Sequence, residues 1–577
     1  MVIQGFIIAV LLIVLIVLGN YSSKTGKKTT NARWADRLDK LNAFKKAQKQ
    51  LSSKKINDVC LWCGKFDPNN YNWFWGQIKL LVNGKLPTVF LTDANQSIEV
   101  LGRPKSGKTF IIDRILTSAI DQRIPILLYS YKGGKTGEGS QIPFVCGYAA
   151  KQVAKYNKLN PKKKRKLKLR FYALGNIISS RINLVKRIRH NKDITTAMNL
   201  AINFHENLVD PNARQDGFFG PIGKQVLAAL FLLARGTPYP DLAMAFAFLQ
   251  LPEFAQRLFY AVEQKNPKFE FWSKVAFNQL IQVANAERTS SGIIADASKI
   301  LTQFMQYDLL PAYIGESNTD LYMGEGEILV ILNDIERQKV LNPINSAVIS
   351  TLINVNFAEQ RSIPLLACFD ELKTAGKITN LTTYANEHRS KGYIGVYGYQ
   401  MISQPEDLFG VNGVKDFRGP LGTRFWLNPG DLETAELFSK YIGVTEEKIV
   451  NKSTTGVFNK QVTMTEQIRE VPLIRPDRFT KFGRGETVLI SPGYGSKGRG
   501  NSDIPQHFDP LPISQKEIDE IEEYEKFYFE KILPQLIKKG KIENSKLDVE
   551  EELKKRIEYA ETMFPLPPKK RRKPPNI

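Results

Sequence analysis

The octapeptide Gly102-Arg103-Pro104-Lys105-Ser106-Gly107-Lys108-Thr109 constrains this chain more than any other stretch. Four residues separate its glycines, and a lysine and a hydroxyl residue follow the second. Ser97–Leu101 before it reads as a short strand, and Phe110–Leu116 after it as the start of an amphipathic helix. A loop at such a junction aims backbone N–H groups and the positive end of a helix dipole at one point. The glycines let the backbone approach an anion closely. Lys108 can reach the outer oxygens of a polyphosphate, and Thr109 offers a hydroxyl to a divalent cation. The eight residues Gly102 to Thr109 therefore read as a phosphate-binding loop that takes ATP with Mg²⁺.

Such a loop needs a second strand that ends in a carboxylate. Pro364–Phe369 is an apolar run ending in Asp370-Glu371. Asp370 is expected to hold Mg²⁺ together with Thr109, and Glu371 to polarise an attacking water. Two later residues can complete a hydrolytic set. Arg389 is expected on the helix after the carboxylate strand, where its guanidinium can cross a subunit interface as an arginine finger. Gln400 ends the strand Gly392–Tyr399, on the side where strand C-termini gather ligands. Spacing alone balances each against an ordinary surface arginine or a capping glutamine.

The order of elements predicts an α/β fold. Buried-strand runs at Ile124–Ser130, Glu327–Leu332, Pro364–Asp370, Gly392–Gly398 and Thr423–Leu427 alternate with helical patterns, which implies a parallel sheet with helices on both faces. Thr88–Thr92 and Phe171–Gly175 read as further strands, and Thr487–Ser491 as the last member of the sheet. Residues 191–312 have helical spacing and little β-branched alternation, so they read as an all-α insert. The nucleotide-binding domain then occupies 76–190 and 313–512. Residues 513–577 read as a charged tail, helical over Glu517–Lys541 and disordered at Pro568–Pro575.

With 577 residues the chain is too long for one core, and its net charge of +23 favours a polyanion, nucleic acid or an anionic membrane face. Four cysteines make no disulfide framework and suit a reducing compartment, and four histidines argue against a histidine metal site. Cys60 and Cys63 have metal-like spacing without a second pair and read as two packed thiols. At the start, Phe6–Leu18 is unbroken apolar, and Lys24, Lys27, Lys28, Arg33 and Arg37 follow. Residues 1–19 are thus expected to form a single transmembrane anchor in the cell (inner) membrane, with the bulk of the chain cytoplasmic. Residues 20–75 are basic and then aromatic. Their aromatics read as a small core in preference to a membrane belt.

Taken in order, these residues resemble the coupling-protein ATPases of conjugation and type IV secretion, the TraD/TraG-like family, over roughly residues 85–510. The likeness rests on the phosphate loop, the helical insert, Phe369-Asp370-Glu371 with Gly376-Lys377-Ile378, Arg389-Ser390-Lys391-Gly392, and Tyr399-Gln400 with Ser403-Gln404. Asn428, Ala435 and Gly443 are similar to the family's next block. The resemblance implies a RecA-like domain, a membrane-anchored homohexamer, and ATP hydrolysis coupled to moving DNA, often relaxase-bound, toward a secretion channel. It also implies that Arg389 and Gln400 belong to the catalytic set. Two departures stand out. Many members have two membrane helices where this chain shows one. The acidic groups usual after the second strand are replaced by Ser130-Tyr131-Lys132-Gly133-Gly134, where Lys132 can contact phosphate or DNA.

Two other readings use the same residues. The chain can be an ATP-gated receptor for protein cargo, with the insert and tail as docking surfaces, or a DNA pump for chromosome handling. A GTPase is disfavoured because no base-reading Asn-Lys-x-Asp motif is present: Asn451-Lys452-Ser453-Thr454 lacks the aspartate.

Overall fold

A computed structural model describes residues 32–567, apart from 69, 87, 133, 135, 209–218, 456–460, 495–503, 510–514 and 546. The expected anchor at 1–19 and the expected disordered end at Pro568–Pro575 lie outside the described residues. Among the described residues no helix is long and apolar enough to cross a membrane.

In chain order the strands are β1 (Cys60–Cys63), β2 (Val89–Thr92), β3 (Ile98–Leu101), β4 (Ile126–Ser130), β5 (Lys168–Tyr172), β6 (Glu327–Leu332), β7 (Leu365–Phe369), β8 (Tyr393–Tyr399), β9 (Thr423–Trp426), β10 (Val444–Thr455), β11 (Gln461–Pro472), β12 (Thr487–Ile490) and β13 (Gln506–Phe508). Nine of them form one sheet in the order β13-β12-β9-β3-β8-β7-β4-β6-β5. From β9 to β5 every neighbouring pair is parallel. β12 runs antiparallel to β9, and β13 antiparallel to β12. The sheet is therefore mixed, and Thr487–Ser491 is not its last member.

The central strands β4, β7 and β8 are buried throughout, which is why they read as continuous apolar runs and not as alternating ones. Their two faces feed two cores. On β4, Ile126 and Leu128 join a core with Ile112, Ile115 and Leu116 of the helix Lys108–Asp121. Leu127 and Tyr129 join the other, with Ile344, Val348 and Leu352 of the helix Gln338–Phe357. Among the described residues between β5 and β6 the regular elements are helical only, a 3₁₀ turn at Val185–Arg187, helices running from Ile194–Leu208 to Glu287–Phe304, and a 3₁₀ turn at Leu310–Ala312.

β2 departs from its expected place. It pairs antiparallel with β1 in a separate two-stranded sheet, and both pack with the helix Arg37–Ser52. That helix begins at a capping box in which Asp36 accepts from Leu38 and Asp39. Phe44, Trp62, Phe66, Tyr71, Trp73 and Phe90 form a small aromatic core here. Cys60 faces that cluster and Cys63 the other core, as strand alternation requires. Both thiols are free, and burial raises the pKa of each.

Two features are absent from the sequence reading. β10 and β11 form a long antiparallel hairpin from Val444↔Pro472 to Thr455↔Gln461. The C-terminal region is also no free tail. The helix Gln515–Phe527 docks on Ile142–Leu159 so closely that a Cβ at Gly147 would collide with the Tyr524 carbonyl. Arg114 Nη2 lies 2.8 Å from Glu517 Oε1. The last helix, Val549–Met563, buries Arg556 against Asp241 of the helical region, with Nε 3.0 Å from Oδ1. The segment thus straps the sheet's helical face to the insert. Apart from Arg556, its described charged residues are exposed or half-buried, while Tyr528, Ile532, Ala560 and Phe564 supply core contacts.

Candidate functional site

The loop after β3 is fixed by both neighbouring strands. Gly102 N donates to Tyr399 O at 3.1 Å, at the end of β8, and Arg103 N donates to Asn428 O at 2.7 Å, just past β9. Gly107 has φ 109°, which a side chain rarely adopts, and a Cβ there would lie only 3.1 Å from the Gly485 backbone. Gly485 N donates to Ser106 O at 2.7 Å, so the segment before β12 buttresses the loop. Asn428 Nδ2 holds that segment through Thr480 O at 2.7 Å and Phe482 O at 3.2 Å.

At the floor of the loop three predicted residues meet. Lys108 Nζ lies 3.1 Å from Glu371 Oε2, and Gln400 Nε2 donates to the same oxygen at 3.1 Å. Lys108, Asp370 and Glu371 are all buried. Burial raises the Asp370 pKa, Lys108 and Lys132 pull it back, and Glu371 raises it again. Asp370 Oδ1, Glu371 Oε1 and Ser106 Oγ are buried without a protein partner. Each such group costs about 1–3 kcal/mol unless something satisfies it. Unmet oxygens beside a buried ammonium suit a polyphosphate and a divalent cation. Thr109 and Asp370 can hold the cation, and the backbone from Gly102 to Gly107 can hold phosphate. Among the described residues no group of three or more His, Cys, Asp or Glu can hold a metal alone. Mg²⁺ takes few protein ligands and keeps phosphate and water in its shell.

Arg389 stands apart. It is exposed, on the short turn Arg389–Lys391 that precedes β8 rather than on a helix, and it lines a shallow pocket with Asn57, Asp93 and Asn95. Gln400 follows the other end of β8. A strand of that length holds the two roughly 20 Å apart. The structure therefore brings together Lys108, Asp370, Glu371 and Gln400 and leaves Arg389 at the opposite edge of the sheet. Arg103, Pro104 and Lys105 are exposed on the outer turn of the loop.

Three supporting groups escaped the sequence reading. Asp113, one turn beyond Thr109 on the same helix, has a buried, unpartnered Oδ1; burial and then Asp370 hold its pKa well above the ordinary carboxylate range. Glu99 on β3 accepts from Arg418 Nε at 2.6 Å, from Trp426 Nε1 at 2.8 Å and from the Tyr399 hydroxyl. Burial opposes its charge, but Arg418 outweighs that and holds it at about 2. This buried carboxylate ties the loop's own strand to the residue before Gln400. Glu486 orders the buttressing segment, accepting from Gly483 N at 3.0 Å and Arg478 Nη2 at 2.6 Å. Only the spacing of Asp113 from Thr109 offered a signal for any of them.

Residues 364–484 match the family model described as the TraM recognition site of TraD and TraG. This match bears out the chain's resemblance to the TraD/TraG-like coupling-protein family. No curated protein sequence matches the chain. Among solved structures, the bacterial conjugative coupling protein TrwBdeltaN70, in a trigonal form with sulphate, is 15% identical with a TM-score of 0.49, covering 73% of this chain and 86% of that one. The plasmid coupling protein TrwB in complex with the ATP analogue ADPNP is 16% identical with a TM-score of 0.48, covering 73% and 87%. VirB4 of Thermoanaerobacter pseudethanolicus is 11% identical with a TM-score of 0.40, covering 73% and 90%. Likeness at this level says nothing of activity.

Proposed function

We propose that this chain is a membrane-anchored, RecA-like ATPase of the coupling type, which binds ATP and Mg²⁺ at the Lys108 loop and drives DNA, as a relaxase-bound strand, to a type IV secretion channel. The observation that carries the reading is the meeting of Lys108, Glu371 and Gln400 at the ends of the central strands, beside the buried Asp370. Without nucleotide, Lys108 is held by Glu371. A γ-phosphate competes for the ammonium, and its arrival frees Glu371 to accept a proton from water, with Gln400 orienting that water. Thr109 and Asp370 would hold Mg²⁺, which would supply charge neutralisation on the phosphates. Arg389 is too far from its own chain's loop to reach phosphate, so it serves a neighbouring copy in a homohexamer. The net charge of +23 suits a DNA backbone gripped without sequence preference. Residues 1–19 anchor the assembly in the inner membrane, with the rest cytoplasmic.

A second reading, an ATP-gated receptor for a protein partner or cargo, is favoured by the match of residues 364–484 to a protein-recognition region. One assay separates the two: ATP hydrolysis by the full chain with and without single- or double-stranded DNA, beside Lys108→Ala. Hydrolysis stimulated by DNA and lost in the variant supports the motor. Hydrolysis indifferent to DNA but lost in the variant supports the receptor. Hydrolysis unaffected by the substitution refutes the site.

A further inference from the structure

The helix Trp73–Asn83 buries one side and exposes the other. Its buried side is Gly76 and Leu80, with Gly76 seated so tightly that a Cβ there would lie 2.8 Å from the Phe44 ring. Its outer side carries Phe74, Trp75 and Val82, which are 67%, 49% and 60% exposed, with Lys79 among them. Trp75, Ile78, Lys79 and Val82 follow the spacing of a single helical stripe. A solvated helix gains nothing from presenting two large aromatics and a valine to water.

The surroundings of this stripe are basic. Arg37 Nη1 donates to Leu81 O at 3.2 Å and Lys40 Nζ to Gly84 O at 3.2 Å, so both cations sit at the helix's C-terminal end. Burial lowers the Lys40 pKa, and Lys85 and Arg37 nearby lower it further. The nearby acids are Asp36 and Asp509, the latter 3.9 Å from Lys85. Lys40 also walls a cleft of about 410 Å³ with Trp34, Arg478 and His507. Aromatic side chains beside clustered cations match the boundary of an anionic bilayer, where rings sit at headgroup depth and Lys/Arg meet lipid phosphates.

The chain's own course selects that occupant. The apolar run Phe6–Leu18 and the stripe are joined through Arg33 and Arg37, and Arg37 touches the end of the stripe helix. The residues between Leu18 and Arg33 hold Arg33 within about 50 Å of the bilayer even when fully extended. We infer that the outer face of the helix Trp73–Asn83, with Arg37, Lys40, Lys79 and Lys85, lies against an anionic phospholipid surface and fixes the orientation of the body beneath it. The inference rests on the anchoring of residues 1–19 proposed above.

The test uses the full chain reconstituted into phosphatidylcholine vesicles with and without phosphatidylglycerol, containing lipids brominated on the acyl chains. Flotation with the vesicles reads the anchor, and quenching of tryptophan fluorescence reads the stripe. Quenching is expected to be stronger with phosphatidylglycerol, to lose its phosphatidylglycerol-dependent part in Trp75→Phe, and to persist in the control Trp272→Phe. Flotation with quenching unchanged by Trp75→Phe, or indifferent to phosphatidylglycerol, would overturn the surface contact and leave the anchor standing. Failure to float would overturn the anchor and this contact with it.

Discussion

Replacing Glu371 by Gln keeps the side chain's shape and an oxygen for Gln400, but removes the charge that holds Lys108. At 3.1 Å the bare attraction between two unit charges is about 5 kcal/mol with an effective dielectric near 20. Much of that repays desolvation, so the net hold on Lys108 is closer to about 1–3 kcal/mol, the cost of leaving a buried polar group unsatisfied. Nucleotide must break this contact to gain the ammonium. Glu371→Gln should therefore raise ATP affinity by about 5- to 150-fold, while turnover falls by roughly 10²–10⁴ because the water loses its base. The nucleotide-free variant should also melt earlier, since it leaves a buried ammonium without its counter-charge, and recover on adding ATP and Mg²⁺. Titration with a fluorescent ATP analogue and phosphate-release kinetics on the full chain measure the two effects separately. Lys108→Ala is the control in which binding and turnover fall together. Weaker binding in Glu371→Gln, or turnover within a few-fold of the parent, would refute the competition between Glu371 and phosphate for Lys108.

Three further outcomes are expected. Arg389→Ala should leave ATP affinity unchanged and cut hydrolysis by about 10³, and mixing it with Lys108→Ala protein should restore part of the activity; no rescue would deny a role across subunits. Glu99 has a folded pKa of about 2 against an ordinary value of 4.5, so its contribution of about 3 kcal/mol is present above the unfolded value and lost as pH falls through the folded one. Urea midpoints of parent and Glu99→Gln should then differ at pH 7 and converge between about pH 4.5 and 2; parallel pH curves would remove Glu99 from the account. Gly147→Val should push the helix Gln515–Phe527 off its seat at a cost of about 1–3 kcal/mol, seen as faster tryptic cleavage near Lys526, and an unchanged cleavage pattern would mean the strap is not held there.

What was legible in the sequence followed from composition that only one environment explains. Leu365–Phe369 and Tyr393–Tyr399 are apolar on both faces because both faces are covered, so their position and the loops at their ends read directly. Pairing direction leaves no such mark, and β12 looks like any buried strand although it runs against β9. The hairpin β10–β11 was invisible because Lys448, Asn451, Lys452, Ser453 and Thr454 carry no apolar alternation. In the C-terminal strap, Ile521, Tyr524, Tyr528 and Ile532 form a helical stripe that the surrounding glutamates and lysines outnumber. Within the site, Lys108 and Asp370 came from motifs that must be local. Glu99 and Glu486 work through partners distant in sequence and had no local signature.

Gln400 and Arg389 show how strand polarity sharpens such a reading. Both flank β8, and sequence alone treats them as equals near one carboxylate strand. Because β8 lies parallel to β3 and β7, its C-terminal end must share the edge of the sheet that holds Lys108 and Glu371, and its N-terminal end must face away. The register that brings Gln400 within hydrogen-bonding distance of Glu371 is thus the same register that removes Arg389 by the strand's full length. No side-chain rotation closes a gap of roughly 20 Å, since an arginine reaches less than half of it. Arg389 acts on phosphate from a second copy of the chain or it does not act on phosphate at all, and the mixed-subunit assay decides between these two cases.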